Sequence, residues 1–170
     1  MAPRPAPDRP VSWLWRLGYR GAFLTLRVWW FLRRPRAEGA AVMVWRGDAL
    51  LLVRTSYRRP LDLPGGGMDK GETPLAAALR ELREETGLVA PGEELEPLGA
   101  VRFAELHRDI RTHLFRWVPA GPVAPVADGR EIVWAGFLPR AELPAAGPGL
   151  LVRLALDRDA QPPSGTRQMS

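Results

Sequence analysis

The sequence predicts one α/β domain with an extra amphipathic helix ahead of it. Three observations carry that prediction. Short apolar, partly β-branched runs at 39–45, 49–54, 95–103, 111–118 and 131–138 read as strands. Segments 74–86 and 149–158 carry apolar residues at the three- and four-residue spacing of a helix, and they fall between or after those strands. At 170 residues, 46% hydrophobic and 25% charged, the chain has the composition of one domain with a substantial core, and a second catalytic domain does not fit.

Composition excludes some chemistry. Cysteine is absent, which rules out disulfides, zinc-thiolate centres and cysteine nucleophiles but leaves the compartment open. The net charge of +5 is unevenly placed: residues 1–40 hold eight arginines against Asp8 and Glu38, a net +6, so the remainder is close to neutral. A body without a basic field has no special claim on long nucleic acids, and no specific nucleic-acid partner is expected.

Taken in order, residues 1–10 (MAPRPAPDRP) read as a disordered start. Val11 to Arg34 reads as a helix dense in Trp and Leu. At about 100° per residue, Arg16, Arg20, Arg27 and Arg34 fall within one stripe roughly 40° wide, and apolar residues cover the rest. Those arginines interrupt a secretory signal and make a spanning helix costly. Two readings stay open. In one, Trp13, Trp15, Trp29 and Trp30 seat the helix on an anionic membrane surface, placing a cytoplasmic protein at the inner face of the membrane. In the other, the helix packs on the domain or on a second subunit of a homodimer.

Pro35 ends that segment. Gly39 to Trp45 reads as a buried strand, and Gly47-Asp48 as the hairpin turn into Ala49 to Arg54. Thr55 to Pro60 is polar and basic. Arg54, Arg58 and Arg59 come just ahead of a glycine loop and could meet a substrate phosphate there, although solvated loop charge accounts for at least two of them.

The stretch Leu63 to Leu88, LPGGGMDKGETPLAAALRELREETGL, organises the rest. Gly65, Gly66 and Gly67 form a loop whose backbone can approach a ligand closely. Thr73 and Pro74 supply an N-cap and a first helical residue, Leu75, Leu79, Leu82 and Thr86 form one buried stripe, and Gly87 stops the helix. On another face Glu81, Glu84 and Glu85 stand at i, i+3 and i+4, so their carboxylates crowd one patch. Cations relieve that repulsion, and hard oxygen ligands suit Mg²⁺ or Mn²⁺ rather than zinc. The bland alternative is a solvated acidic face with Arg80 attracting Glu84.

The order of residues decides between them: Gly66, five residues, Glu72, seven residues, Arg80-Glu81-Leu82, one residue, Glu84-Glu85, one residue, Gly87-Leu88. From average residue usage, a chance match to the seven fixed identities is on the order of one in a million. This stretch resembles the Nudix box of the Nudix hydrolases, without departure. The resemblance implies an α/β/α sandwich with a mixed sheet and a divalent metal, Mg²⁺ or Mn²⁺, gripping the diphosphate of a nucleotide-type substrate. It implies metal ligands at Glu84 and Glu85, Glu81 as ligand or general base, and the Gly65 carbonyl as a further ligand. Arg80 and Glu72 would hold the loop and orient the carboxylates. Gly66 and Gly67 would lie against the substrate, together with Arg54 and Arg58.

Downstream, Leu95 to Phe103 and Arg111 to Val118 read as strands joined by a turn over Glu105 to Asp109. His107 and His113 are assigned no chemistry. Pro119 to Gly129 is a proline-rich loop before Glu131 to Leu138. Glu131, with Trp134, Phe137 and Glu142-Leu143-Pro144, loosely resembles the Nudix pattern in which an acid completes the metal site or acts as base. Gly149 to Arg158 is a closing helix and 161–170 a flexible tail. Tyr57, Phe103, Trp117 and Trp134 are candidates for stacking on a base, half of them expected in the core. The function implied is hydrolysis of a diphosphate linking a nucleoside to another moiety. A nucleotide sensor without hydrolysis is the alternative, and loss of a box glutamate would favour it.

Overall fold

The computed structural model describes residues 36–105 and 108–160, together with Gly18, Gly21 and Ala22. Those three are helical, but the rest of the expected helix over Val11 to Arg34 lies outside the described residues, as do the expected disordered start, the tail from 161, Leu106 and His107. Among the described residues no helix is long and apolar enough to cross a membrane.

The strands are β1 (Arg36–Arg46), β2 (Ala49–Thr55), β3 (Gly65–Gly67), β4 (Glu96–Glu105), β5 (Arg108–Trp117) and β6 (Ile132–Pro139); the helices are α1 (Pro74–Thr86) and α2 (Leu150–Asp159). The sheet is mixed, in the order β4-β5-β1-β2-β6, with β3 also paired to β1. β1 lies at its centre. It runs parallel to β5 from Arg36↔Asp109 to Val44↔Trp117 and antiparallel to its other neighbours. Its far edge is shared: Trp45 and Arg46 pair with β2, whereas Gly39, Ala40 and Ala41 pair with β3. That sharing needs small residues, because a Cβ on Gly39 would lie 2.5 Å from the carbonyl oxygen of Gly66.

Alternation along β1 builds a core on each face of the sheet. Ala40, Val42 and Val44 meet Ala77, Ala78 and Leu82 of α1. Ala41, Met43 and Trp45 meet Leu50, Leu52 and the α2 residues Val152 and Ala155. The result is the α/β layering expected, with four differences of detail. β1 starts three residues before the predicted strand, because Arg36, Ala37 and Glu38 continue the ladder with β5. The expected glycine loop is a three-residue strand. The expected turn from Glu105 is largely ladder, since Glu105 and Arg108 still pair across β4 and β5. In α1 the fully buried positions are Ala77, Ala78, Leu82 and Thr86, with Leu75 and Leu79 only partly covered, because close approach to β1 favours alanine beneath the helix.

Candidate active site

The ends of α1 are set as the sequence requires. Thr73 accepts a hydrogen bond on its Oγ1 from the Ala76 N–H at 3.2 Å, and Gly87 closes the helix in the left-handed region at φ 69°. The helix is thereby fixed with Arg80, Glu81 and Glu85 turned toward β3.

Arg80 is the crossbar of the box. Its Nε and Nη2 donate to the two oxygens of Glu72, each at 2.9 Å, Nη1 donates to Glu81 Oε1 at 2.7 Å, and Nη2 also reaches the Gly67 carbonyl at 2.9 Å. Paired by Arg80 and by the Asp69 N–H, the Glu72 carboxyl is held down at about 2. The bonds to Glu72 and then to Glu81 raise Arg80 in turn. Its contacts to Glu72 and the Gly67 carbonyl tie helix to loop, and those to Glu81 and Glu84 orient carboxylates on its own helix, which makes it a positioning residue.

Glu81 lies directly over Gly66, whose hypothetical Cβ would collide with the Glu81 carboxylate. Only glycine lets this carboxylate come down onto the strand. Burial raises its pKa, outweighing the opposing effect of Arg80. Half-buried Glu85 accepts the Gly65 N–H on Oε2 at 2.9 Å, and burial pushes its carboxyl up to about 9, with the charges of Glu81, Glu131 and Asp62 adding to the rise. Glu84 turns the other way: it is 54% exposed and meets Arg80 Nη1 at 3.5 Å.

On the facing wall, Glu131 precedes β6 and accepts the Tyr57 hydroxyl on Oε1 at 2.6 Å. The Asp128 carboxylate fixes this turn by accepting the backbone N–H groups of Arg130, Glu131 and Ile132. Burial, then the Glu131 bond, raises the Tyr57 phenol. A cleft of about 550 Å³ brings these groups together: Gly65, Gly66, Gly67, Glu81, Glu85 and Glu131 all line it, as do Tyr57 and Arg58.

Other candidates sit elsewhere. Arg54 is exposed, lies 5.8 Å from the Trp134 ring and does not line the cleft. Arg58 lines it but is engaged, forming an ion pair with Glu105 and lying 3.8 Å from Asp62. Arg59 is exposed outside it. Trp117 and Trp134 are core residues at 4% and 7% exposure, while Tyr57 and Phe103 face the cleft. His113 binds Glu38 Oε1 at 2.8 Å. Sequence reasoning passed over Asp62 and Glu105. A signal existed for Asp62: it stands between two leucines, Leu61 and Leu63, that are both buried, and burial raises its carboxyl to about 6 against the pull of Arg58.

The donor set fits a hard divalent cation, since carboxylates crowd beside glycine carbonyls and two of them, Glu81 and Glu85, are raised by burial. Among the described residues no three acidic or histidine side chains converge to coordination distance in this conformation; Glu84 would have to turn in from Arg80.

Comparison with known proteins places these features. The family profile described as NUDIX domain matches residues 35–154. The probable DHNTP pyrophosphohydrolase of Lactococcus lactis subsp. cremoris (strain MG1363) is 39% identical over 51 residues, 30% of this chain and 31% of that protein. The RNA pyrophosphohydrolase of Rhizobium meliloti (strain 1021) is 47% identical over 49 residues, 27% of this chain and 29% of that protein. The chain thus spans less than a third of the length of either relative. In fold it is similar to the MutT NUDIX hydrolase from Burkholderia pseudomallei, at 22% identity and TM-score 0.64, covering 73% of this chain and 97% of that one. It is also similar to the NUDIX domain of Shewanella oneidensis NrtR complexed with ADP ribose, at 18% identity and TM-score 0.61, covering 73% and 86%. Since the family match takes in nearly the whole described body and the sheet and helices agree, the chain belongs to the NUDIX domain family.

Proposed function

We propose that this chain hydrolyses the diphosphate linkage of a nucleoside diphosphate joined to another moiety, using Mg²⁺ or Mn²⁺. The observation that carries this reading is the convergence of Glu81, Glu85 and Glu131 on one cleft beside Gly65, Gly66 and Gly67. Both curated relatives named above are pyrophosphohydrolases, which supports the same reaction class.

Glu81, Glu84, Glu85 and the Gly65 carbonyl would hold the cation, which when bound supplies Lewis-acid polarisation of the diphosphate oxygens. The chain's own residues do the rest. Gly66 and Gly67 present backbone without side chains, so a diphosphate can lie close against β3. Arg80 keeps Glu81 and the loop in register. A water oxygen attacks one phosphorus, the bond from that phosphorus to the bridging oxygen breaks, and the bridging oxygen leaves on the other phosphate. The water proton passes to a carboxylate, for which Glu81 and Glu131 are the two candidates. Tyr57 holds Glu131 toward the cleft. A sensor without hydrolysis would be favoured by a missing box glutamate, and Glu81, Glu84 and Glu85 are all present.

The test is a phosphate-release screen over nucleoside triphosphates, nucleotide sugars, ADP-ribose, dinucleotides and capped RNA with Mg²⁺ or Mn²⁺. Metal-dependent cleavage of at least one supports the reading; binding of a nucleotide with no cleavage of any would overturn it.

A further inference from the structure

Arg58 and Arg108 line the cleft, and Glu105 lies beside both. Glu105 Oε1 forms an ion pair with Arg58 Nη2, and the β4–β5 register sets Glu105 opposite Arg108, whose charge it also feels. Asp62 takes the other side of Arg58 at 3.8 Å. Apolar residues share this wall with Thr112 and Glu38: half-buried Phe103 pairs with Ile110, and Ile110 with Ala37 on β1. Beyond the glutamate cluster, then, the cleft offers a largely apolar surface on which Arg58 is paired with two carboxylates and Arg108 faces one of them.

We infer that Glu105 is a specificity-determining residue: by holding Arg58 and placing its charge opposite Arg108 it makes the cleft accept a diphosphate whose far side bears an uncharged group, and reject a third phosphate. The inference rests on the hydrolase reading for where the diphosphate lies. A third phosphate would add negative charge beside Glu105 and Asp62, which already hold Arg58 between them, and like charges set together in a cleft are a basis for rejection. An uncharged sugar or ring covers Phe103 and Ile110 without disturbing the ion pair.

The experiment is isothermal titration with Mg²⁺ of two methylene-bridged analogues that resist cleavage, one of ADP-ribose and one of ATP. Wild type should bind the ADP-ribose analogue about tenfold or more tightly than the ATP analogue. Glu105→Gln should tighten the ATP analogue about tenfold and leave the other within about twofold, and adding Arg58→Gln should cancel the gain. Should Glu105→Gln fail to fold, Phe103→Arg, which adds a cation to the same wall, must produce the same shift. Equal wild-type affinities, no gain in the variants, or no binding of either analogue would overturn the assignment. Cleavage of the parent compounds is measured separately: the expected binding pattern without cleavage removes the hydrolase reading and leaves Glu105 as the selector.

Discussion

Tyr57 and Glu131, 74 positions apart, are joined by a 2.6 Å hydrogen bond from the phenol to the carboxylate. A second bond runs beside it, from the Ser56 N–H to the Glu131 carbonyl at 2.7 Å. The end of β2 and the start of β6 are thereby locked, and the carboxylate is aimed by a side chain, not left to a loop.

Tyr57→Phe should therefore lower kcat about tenfold with KM little changed, and Glu131→Gln should lower it further. Combining them should cost no more than Glu131→Gln alone, because the phenol acts through that carboxylate. Steady-state kinetics of the four proteins decide this, and additive losses would separate Tyr57 from Glu131.

Glu84→Gln and Glu85→Gln should each cut turnover by orders of magnitude through loss of a ligand charge. They should differ in stability. The folded Glu85 carboxyl is raised to about 9, above its unfolded value, so its contribution is full at low pH and is lost as pH rises toward and through that value. In EDTA at pH 8, Glu85→Gln should melt higher than wild type, whereas Glu84→Gln, at an exposed position, should not. Full activity of the wild type in EDTA would refute the shared premise.

Arg80→Lys should impair activity although charge is kept. The guanidinium makes forked contacts to both oxygens of Glu72 while also reaching Glu81 and the Gly67 carbonyl, which one ammonium cannot reproduce. A kcat loss of about tenfold or more with little change in melting temperature is expected; wild-type kinetics in the variant would refute the orienting role.

Asp62→Asn should stabilise the protein in a pH-dependent way. Burial raises the folded Asp62 carboxyl from 3.8 to about 6. Its contribution is full below the unfolded pKa and is lost as pH rises through about 6, so at pH 8 the wild type carries a penalty of at most about 3 kcal/mol that asparagine removes. Urea denaturation should show the gain at pH 8 and little at pH 3.5. A gain that is the same at both values would show that charge is not the cause.

Much of the box was legible because its logic is local. Thr73, Gly87 and the glutamate spacing of α1 depend on neighbours a few residues away, and the sequence displays them directly. What was illegible depends on partners brought from afar. Arg58 read as a phosphate ligand because nothing nearby in sequence announces Glu105, 47 positions on. Arg54 read alike, but strand alternation and its place opposite Trp134 turn it out of the cleft. The three glycines read as a loop, since a strand of Gly65–Gly67 is specified by the close approach of β1 and by no propensity of its own.

The parallel pairing of β1 with β5 has a consequence for the order in which this molecule assembles. Its contacts join residues as far apart as Glu38 and His113, 75 positions, so closing that loop is a late and slow event in folding compared with winding α1. The helix bearing the box carboxylates can form early from local contacts. The floor and far wall of the cleft exist only once β5 has docked against β1. A folding intermediate arrested before that step would carry a wound box helix without a binding cavity, and ligand-induced protection from hydrogen exchange would then appear only in the last kinetic phase.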